Sequence, residues 1–132
     1  MGLVTAVTWL FTALVGVYLL YLWLRGGLRQ ATKVTRFPVT LMFSHPVLAV
    51  SALASWVTFL LTGGRAWAWT ACAVLGAATL LGFTMFTRWL GAGRHARGTE
   101  NRLPLVAVLL HGLAGVTTFV LVLLTASVAR LQ

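Results

Sequence analysis

Four long apolar runs, separated by short polar segments, account for most of the chain. They are roughly Leu3–Leu24, Pro38–Thr62, Ala68–Leu90 and Leu103–Val128. About 20 apolar residues cross the hydrocarbon core of a bilayer, so each run is long enough to span one. Several runs are rich in Val and Thr, which favour strands in water. In lipid the backbone must satisfy its own hydrogen bonds, and a continuous apolar run of this length is read as helix. The connections are short enough to make neighbouring helices antiparallel. The pattern therefore predicts an all-α, integral membrane four-helix up-down bundle, with helices two and four at opposite corners.

The pattern also repeats. Phe37 to Ala49 reads FPVTLMFSHPVLA, and Leu103 to Ala114 reads LPLVAVLLHGLA. Pro38 pairs with Pro104 and His45 with His111, each histidine seven residues after its proline, at an offset of 66 in a chain of 132 residues. Gly16 and Gly82, Trp23 and Trp89, Leu24 and Leu90, Gly27 and Gly93, and Arg36 and Arg102 keep the same offset. Residues 1–132 are read as one transmembrane domain made of two repeated helical hairpins, 1–66 and 67–132. Pro38 and Pro104 are expected in the first turn of their helices, where a missing N–H costs nothing. The glycine pair Gly26–Gly27 and the glycines Gly91 and Gly93 are expected to stop the helices before them. Nothing basic precedes the first run, and it is too long for the apolar region of a signal peptide, so it is kept as the first membrane helix.

Composition agrees with this class. Hydrophobic residues make up 60% and charged residues 8%, with a single acidic side chain, Glu100; a water-soluble domain carries about a quarter of its residues charged. The net charge of +9 lies between the apolar runs, which points to acidic lipid headgroups and away from nucleic acid. Arg25, Arg29, Lys33 and Arg36 fall in or beside the first connection, and Arg88, Arg94, Arg97 and Arg102 in or beside the third. The second has only Arg65. Positive-inside reasoning places the first and third connections in the cytoplasm, with both termini outside a bacterial plasma membrane. Trp23, Trp67, Trp69 and Trp89 lie near the run ends and are expected as interface anchors.

Candidate chemistry rests on the two histidines. Ionisable residues within a membrane helix are costly and face the protein interior or a cavity. His45 and His111 lie about seven residues, or about 10 Å, from the cytoplasmic ends of parallel helices, so the two imidazoles share one level. Diagonal helices in such a bundle are about 14 Å apart, taking about 10 Å between neighbouring axes. That is too far for a direct bond between the histidines, but it suits a metal macrocycle held between two imidazoles. Gly16 and Gly82 fall near the same level on the other two helices, where a glycine lets a flat ring come close to the backbone. Ala107, Ala114, Gly115 and Thr118 share the face of His111, and Ala49 and Ala52 that of His45, which keeps this level free of bulk. His95 lies in a charged connection and is read as solvated. Cys72, within the third run, can form no internal disulfide and is read as a packing residue.

Other chemistries lack their residues. No Asp or Glu lies in any span, so the usual carboxylates of cation-coupled transport are missing. Neither histidine sits in an H-E-x-x-H frame, and no glycine-rich phosphate loop follows a strand. Ser44 adjoins His45, but adjacent helical positions do not face each other.

Paired histidines on two helices of a four-helix membrane bundle, with glycines at the same level, resemble the b-type membrane cytochromes. The similarity is to the cytochrome b561 kind and to small haem-anchoring subunits of respiratory enzymes. It implies one bis-histidine haem b, since a single histidine pair is present. His45 and His111 would be its axial ligands, Gly16 and Gly82 would face the ring, and Arg36 and Arg102 would meet the propionates. It also implies electron transfer between a membrane quinone and a partner, within a larger complex or a homodimer, as a carrier or accessory subunit and not a stand-alone enzyme. The alternative is a cofactor-free structural or accessory subunit. The chain also looks like small four-helix membrane proteins of high-GC bacteria, a likeness that implies no activity.

The predicted orientation has a direct test. In a Cys72→Ala background, Gly2→Cys should react with an impermeant maleimide added outside intact cells, and Ala96→Cys should react only after the membrane is opened. Labelling of position 96 alone in intact cells would reverse the orientation.

Overall fold

The structure is a computed structural model and describes residues 2–27, 38–91 and 103–129. These form four helices: α1 (Gly2–Gly27), α2 (Val39–Thr62), α3 (Arg65–Trp89) and α4 (Leu105–Val128). No strand occurs among the described residues. All four helices are long and apolar enough to cross a membrane.

The helix ends follow from local chemistry, with one departure from expectation. Pro38 and Pro104 stand one position before the first turn, as N-caps with extended ψ. Their carbonyls already accept the first helical bonds, from the N–H groups of Met42 and Val108. Proline is tolerated there for the expected reason, since no donor is lost. Gly26 and Gly27 are the last described residues of α1, and the residues that follow them lie outside the described ones. Gly91 ends the third helix as expected, at φ 98°. The tightest connection joins α2 to α3. Gly63 takes a left-handed φ of 72° and donates its N–H to the Phe59 carbonyl at 2.8 Å. Gly64 is then extended, and α3 begins at the next residue.

Hydroxyl side chains survive in these apolar helices by bonding to their own backbone. Ser51, Ser55, Thr58, Thr62, Thr70, Thr79, Thr84, Thr117, Thr125 and Ser127 each donate to the carbonyl four residues earlier. This leaves the hydroxyl proton satisfied wherever water is absent.

Packing runs in the order α1–α4–α3–α2 around the bundle, with α2 and α4 at opposite corners as expected. The α2–α3, α1–α4 and α3–α4 seams are well packed, whereas α1 and α2 meet along a much narrower strip. The core falls into two clusters. The first joins Trp9, Ala52, Trp56, Ala68, Ala71, Cys72, Leu75, Val122 and Ala126. The second, near the opposite end, joins Trp23 and Met42, with Leu20, Leu24, Met85, Trp89 and Leu103 against them. Cys72 is thus a packing residue. Trp67 and Trp69 are exposed, but Trp23 is only 3% exposed and belongs to the core, so it is no interface anchor.

Trp56, 1% exposed, is among the largest fully buried side chains, and its ring packs on Trp9 at 6.1 Å and on Phe59 at 5.1 Å. Trp56→Ala should destabilise the bundle by about 3–5 kcal/mol, the usual cost of such a cavity. Leu61→Ala, at a position 82% exposed, should change little. Unfolding in mixed detergent micelles measures both, and equal midpoints for the two variants would refute this assignment of the core.

Candidate functional site

Between the two core clusters lies a tier of different character, and the two histidines occupy it. His45 projects from α2 and His111 from α4, and both rings are partly buried. Each is held by a neighbouring helix. His45 Nδ1 lies 2.8 Å from the Ala78 carbonyl oxygen on α3. His111 Nδ1 lies 3.0 Å from the Thr12 carbonyl oxygen on α1. A carbonyl only accepts, so each Nδ1 carries the proton and donates it. Ala78 and Thr12 are themselves 66 residues apart, as are the two histidines. In the neutral imidazole this sets the tautomer: Nε2 of each ring is then unprotonated and keeps its lone pair. This is the arrangement in which a histidine serves a metal, one nitrogen fixed by a carbonyl and the other left to ligate.

The glycines are what permit these contacts. A Cβ on Gly16 would stand 2.8 Å from Cε1 and 3.3 Å from Nδ1 of His111. A Cβ on Gly82 would stand 3.3 Å from Cε1 of His45. Both glycines do lie at the level of the histidines. Their open faces are occupied by the imidazoles themselves, so the flat ring they admit in this structure is the histidine's own.

The histidines also meet each other. Their ring centres are 5.9 Å apart with planes at 77°. The side chains thus reach across much of the diagonal between α2 and α4. Two imidazoles on opposite sides of one metal ion stand about 6 Å apart, because each metal–nitrogen bond is about 2 Å and each ring centre lies roughly 1 Å behind its nitrogen. The 5.9 Å spacing is compatible with both imidazoles serving one metal centre. Among the described residues no three His, Cys, Asp or Glu side chains converge, so a site of three or four protein ligands is not assembled there. Arg36 and Arg102 lie outside the described residues, as does His95.

Three features of this tier were not singled out from the sequence. One is the pair of acceptors, Thr12 and Ala78, which act through backbone carbonyls. The second is a hydroxyl contact on one side only. Thr12 Oγ1 and Thr118 Oγ1 are 3.3 Å apart, while each also bonds back to its own helix, at the Thr8 and Ala114 carbonyls. The third is Pro46, inside α2 directly after His45. Proline has no N–H, so the helical bond to the Met42 carbonyl is missing beside the histidine.

The unequal glycine contacts yield a graded prediction. Gly16→Ala forces His111, which is tethered to Thr12, to move, and should cost about 1–3 kcal/mol as an overpacked core does. Gly82→Ala needs a shift of only a few tenths of an ångström and should cost less. The order of the two unfolding midpoints checks this; a larger loss at position 82 would contradict it. Compared with models of known protein families, with curated proteins and with solved structures, the chain matches none, and the geometry of the histidine tier alone carries the functional reading.

Proposed function

We propose that this chain is a membrane-embedded b-type haem protein that transfers electrons, with His45 and His111 as the axial ligands of a single haem. The observation that carries it is the pair of imidazoles at one level, each with Nδ1 committed to a backbone carbonyl and Nε2 free, at 5.9 Å between ring centres. When bound, haem supplies one-electron redox chemistry at its iron. The protein's part is to hold the ligands. The Ala78 and Thr12 carbonyls fix the ring tautomers and strengthen the donor character of Nε2. The two core clusters close the bundle on either side of the tier and limit access of water along its axis. The two-hairpin repeat belongs to the same reading, as two copies of one ligand-bearing unit, and so does a plasma-membrane setting with both termini outside. A lipid-soluble quinone or a neighbouring subunit would exchange the electron.

A second reading is favoured by the glycine contacts. With the faces of Gly16 and Gly82 filled by imidazole, the histidines also work as cross-braces in a cofactor-free bundle, α2 to α3 and α4 to α1.

Absorption spectroscopy of the purified protein separates the two. The haem reading expects a Soret band that shifts and sharpens on reduction, with a low-spin spectrum that is lost or converted to high spin in His45→Ala and in His111→Ala. Colourless, well-folded protein that takes up no added haemin would leave the brace reading in its place.

A further inference from the structure

We infer that the histidine tier opens sideways into the bilayer through a window between α1 and α2, and that this window is the port through which a flat, lipid-soluble metal macrocycle reaches His45 and His111. The inference rests on the haem reading for its occupant. The window itself rests on packing.

The α1–α2 strip is narrow, and two aromatic contacts bridge it. Trp9 of α1 meets Trp56 of α2 at 6.1 Å between ring centres. Trp23 of α1 meets Phe43 of α2 at 6.4 Å, edge to face. Along either helix the bridging residues are 13 or 14 positions apart, about 20 Å at the rise of an α-helix. The histidine tier lies between them. In that interval Ala13 of α1 and Ala49 of α2 are small, beside the larger Leu20 and Leu53, which pack toward the two core clusters. Ala13 follows Trp9 by four residues and precedes Gly16 by three; Ala49 follows His45 by four and precedes Trp56 by seven. Helical spacing places each on the face of the residues named. Ala13 is exposed, and Gly16 and Ala49 are only partly buried. Both histidines keep partial exposure, although core clusters cover the bundle on either side of them along its axis.

The corresponding seam in the second half is not open. There α3 and α4 pack broadly, and the Phe119 ring lies against Gly76, whose Cβ would stand 3.3 Å from it. The position equivalent to Ala13 is the larger Thr79. One seam is narrow and the other is filled, so lateral access is one-sided. Small residues at Ala13, Gly16 and Ala49, with the two imidazoles behind them, suit a planar ligand with a metal centre.

The test follows haemin uptake by apo-protein in lipid nanodiscs. The Ala13→Leu/Ala49→Leu double variant should load at least ten-fold more slowly than wild type and reach the same final spectrum. Thr79→Leu, on the closed seam, should load at the wild-type rate. Uptake by the double variant at the wild-type rate, or equal slowing in Thr79→Leu, overturns the port and leaves the haem reading standing. No uptake by wild type overturns the haem reading and the port with it. Carbethoxylation of His45 and His111 in the apo-proteins, read by peptide mass spectrometry, provides a readout that needs no haem. Both histidines should be modified in wild type and at least five-fold protected in the double variant, while unchanged labelling contradicts the window. If circular dichroism shows the double variant unfolded, the single variants carry the same comparisons.

Discussion

An imidazole in an apolar helix must find a hydrogen-bond partner within the protein, and that requirement shapes the middle of this bundle. A buried unpaired polar group costs several kcal/mol where no water can replace the partner. Helix backbone is the acceptor closest at hand, but its carbonyls are reached from another helix only where the intervening surface is low. Gly16 and Gly82 make it low, and the Thr12 and Ala78 carbonyls receive the Nδ1 protons four residues before them. Each histidine thus links two helices from different halves of the chain, α2 with α3 and α4 with α1. Through these links the bundle gains a fixed order of neighbours that apolar packing between lipid-soluble helices specifies only weakly.

The rest of the core arranges itself around this tier. Large side chains gather on either side: Trp9, Trp56 and Leu75 toward one end, Trp23 and Met42 toward the other. The two halves solve the same packing problem with unequal volumes. Trp9 and Trp56 of the first half stand 66 residues before Leu75 and Val122 of the second, and all four lie in one cluster. Across the centre, large on one side is met by small on the other, which keeps the interior filled where two tryptophan pairs would overfill it.

Much of this architecture is legible in the sequence because lipid simplifies the code. Length and apolarity alone locate the four helices, since a continuous apolar run of this length satisfies its backbone in hydrocarbon as a helix. The offset of 66 brings His45, His111, Gly16 and Gly82 to one level. The acceptors Thr12 and Ala78 are not legible, because a backbone carbonyl leaves no mark in residue type; one site is threonine and the other alanine. Trp23 misleads for a related reason. Tryptophan near a span end fits both an interface anchor and a core plug, and only its packing on Met42 and Phe43 settles which.

Exact symmetry between the halves would give the histidine tier two equal seams, both open or both closed. The halves differ at most aligned positions, and several of the differences fall near the tier. Thr12 and Thr118 place a hydroxyl contact on the α1–α4 side, where their counterparts Ala78 and Ala52 place methyl groups. Pro46 removes a helical bond beside His45, where the counterpart, Gly112, keeps its N–H. Phe119 fills the α3–α4 seam against Gly76, where the counterparts are Leu53 and Leu10. The two imidazoles therefore share a geometry but not a setting. His111 is pressed against the glycine that leaves least room and is held by a residue with a second contact to α4. His45 sits on the helix with the interrupted ladder, against the looser glycine. The two histidines thus stand in unequal settings, the tighter glycine contact on α4 and the looser on α2, the helix that borders the narrow seam.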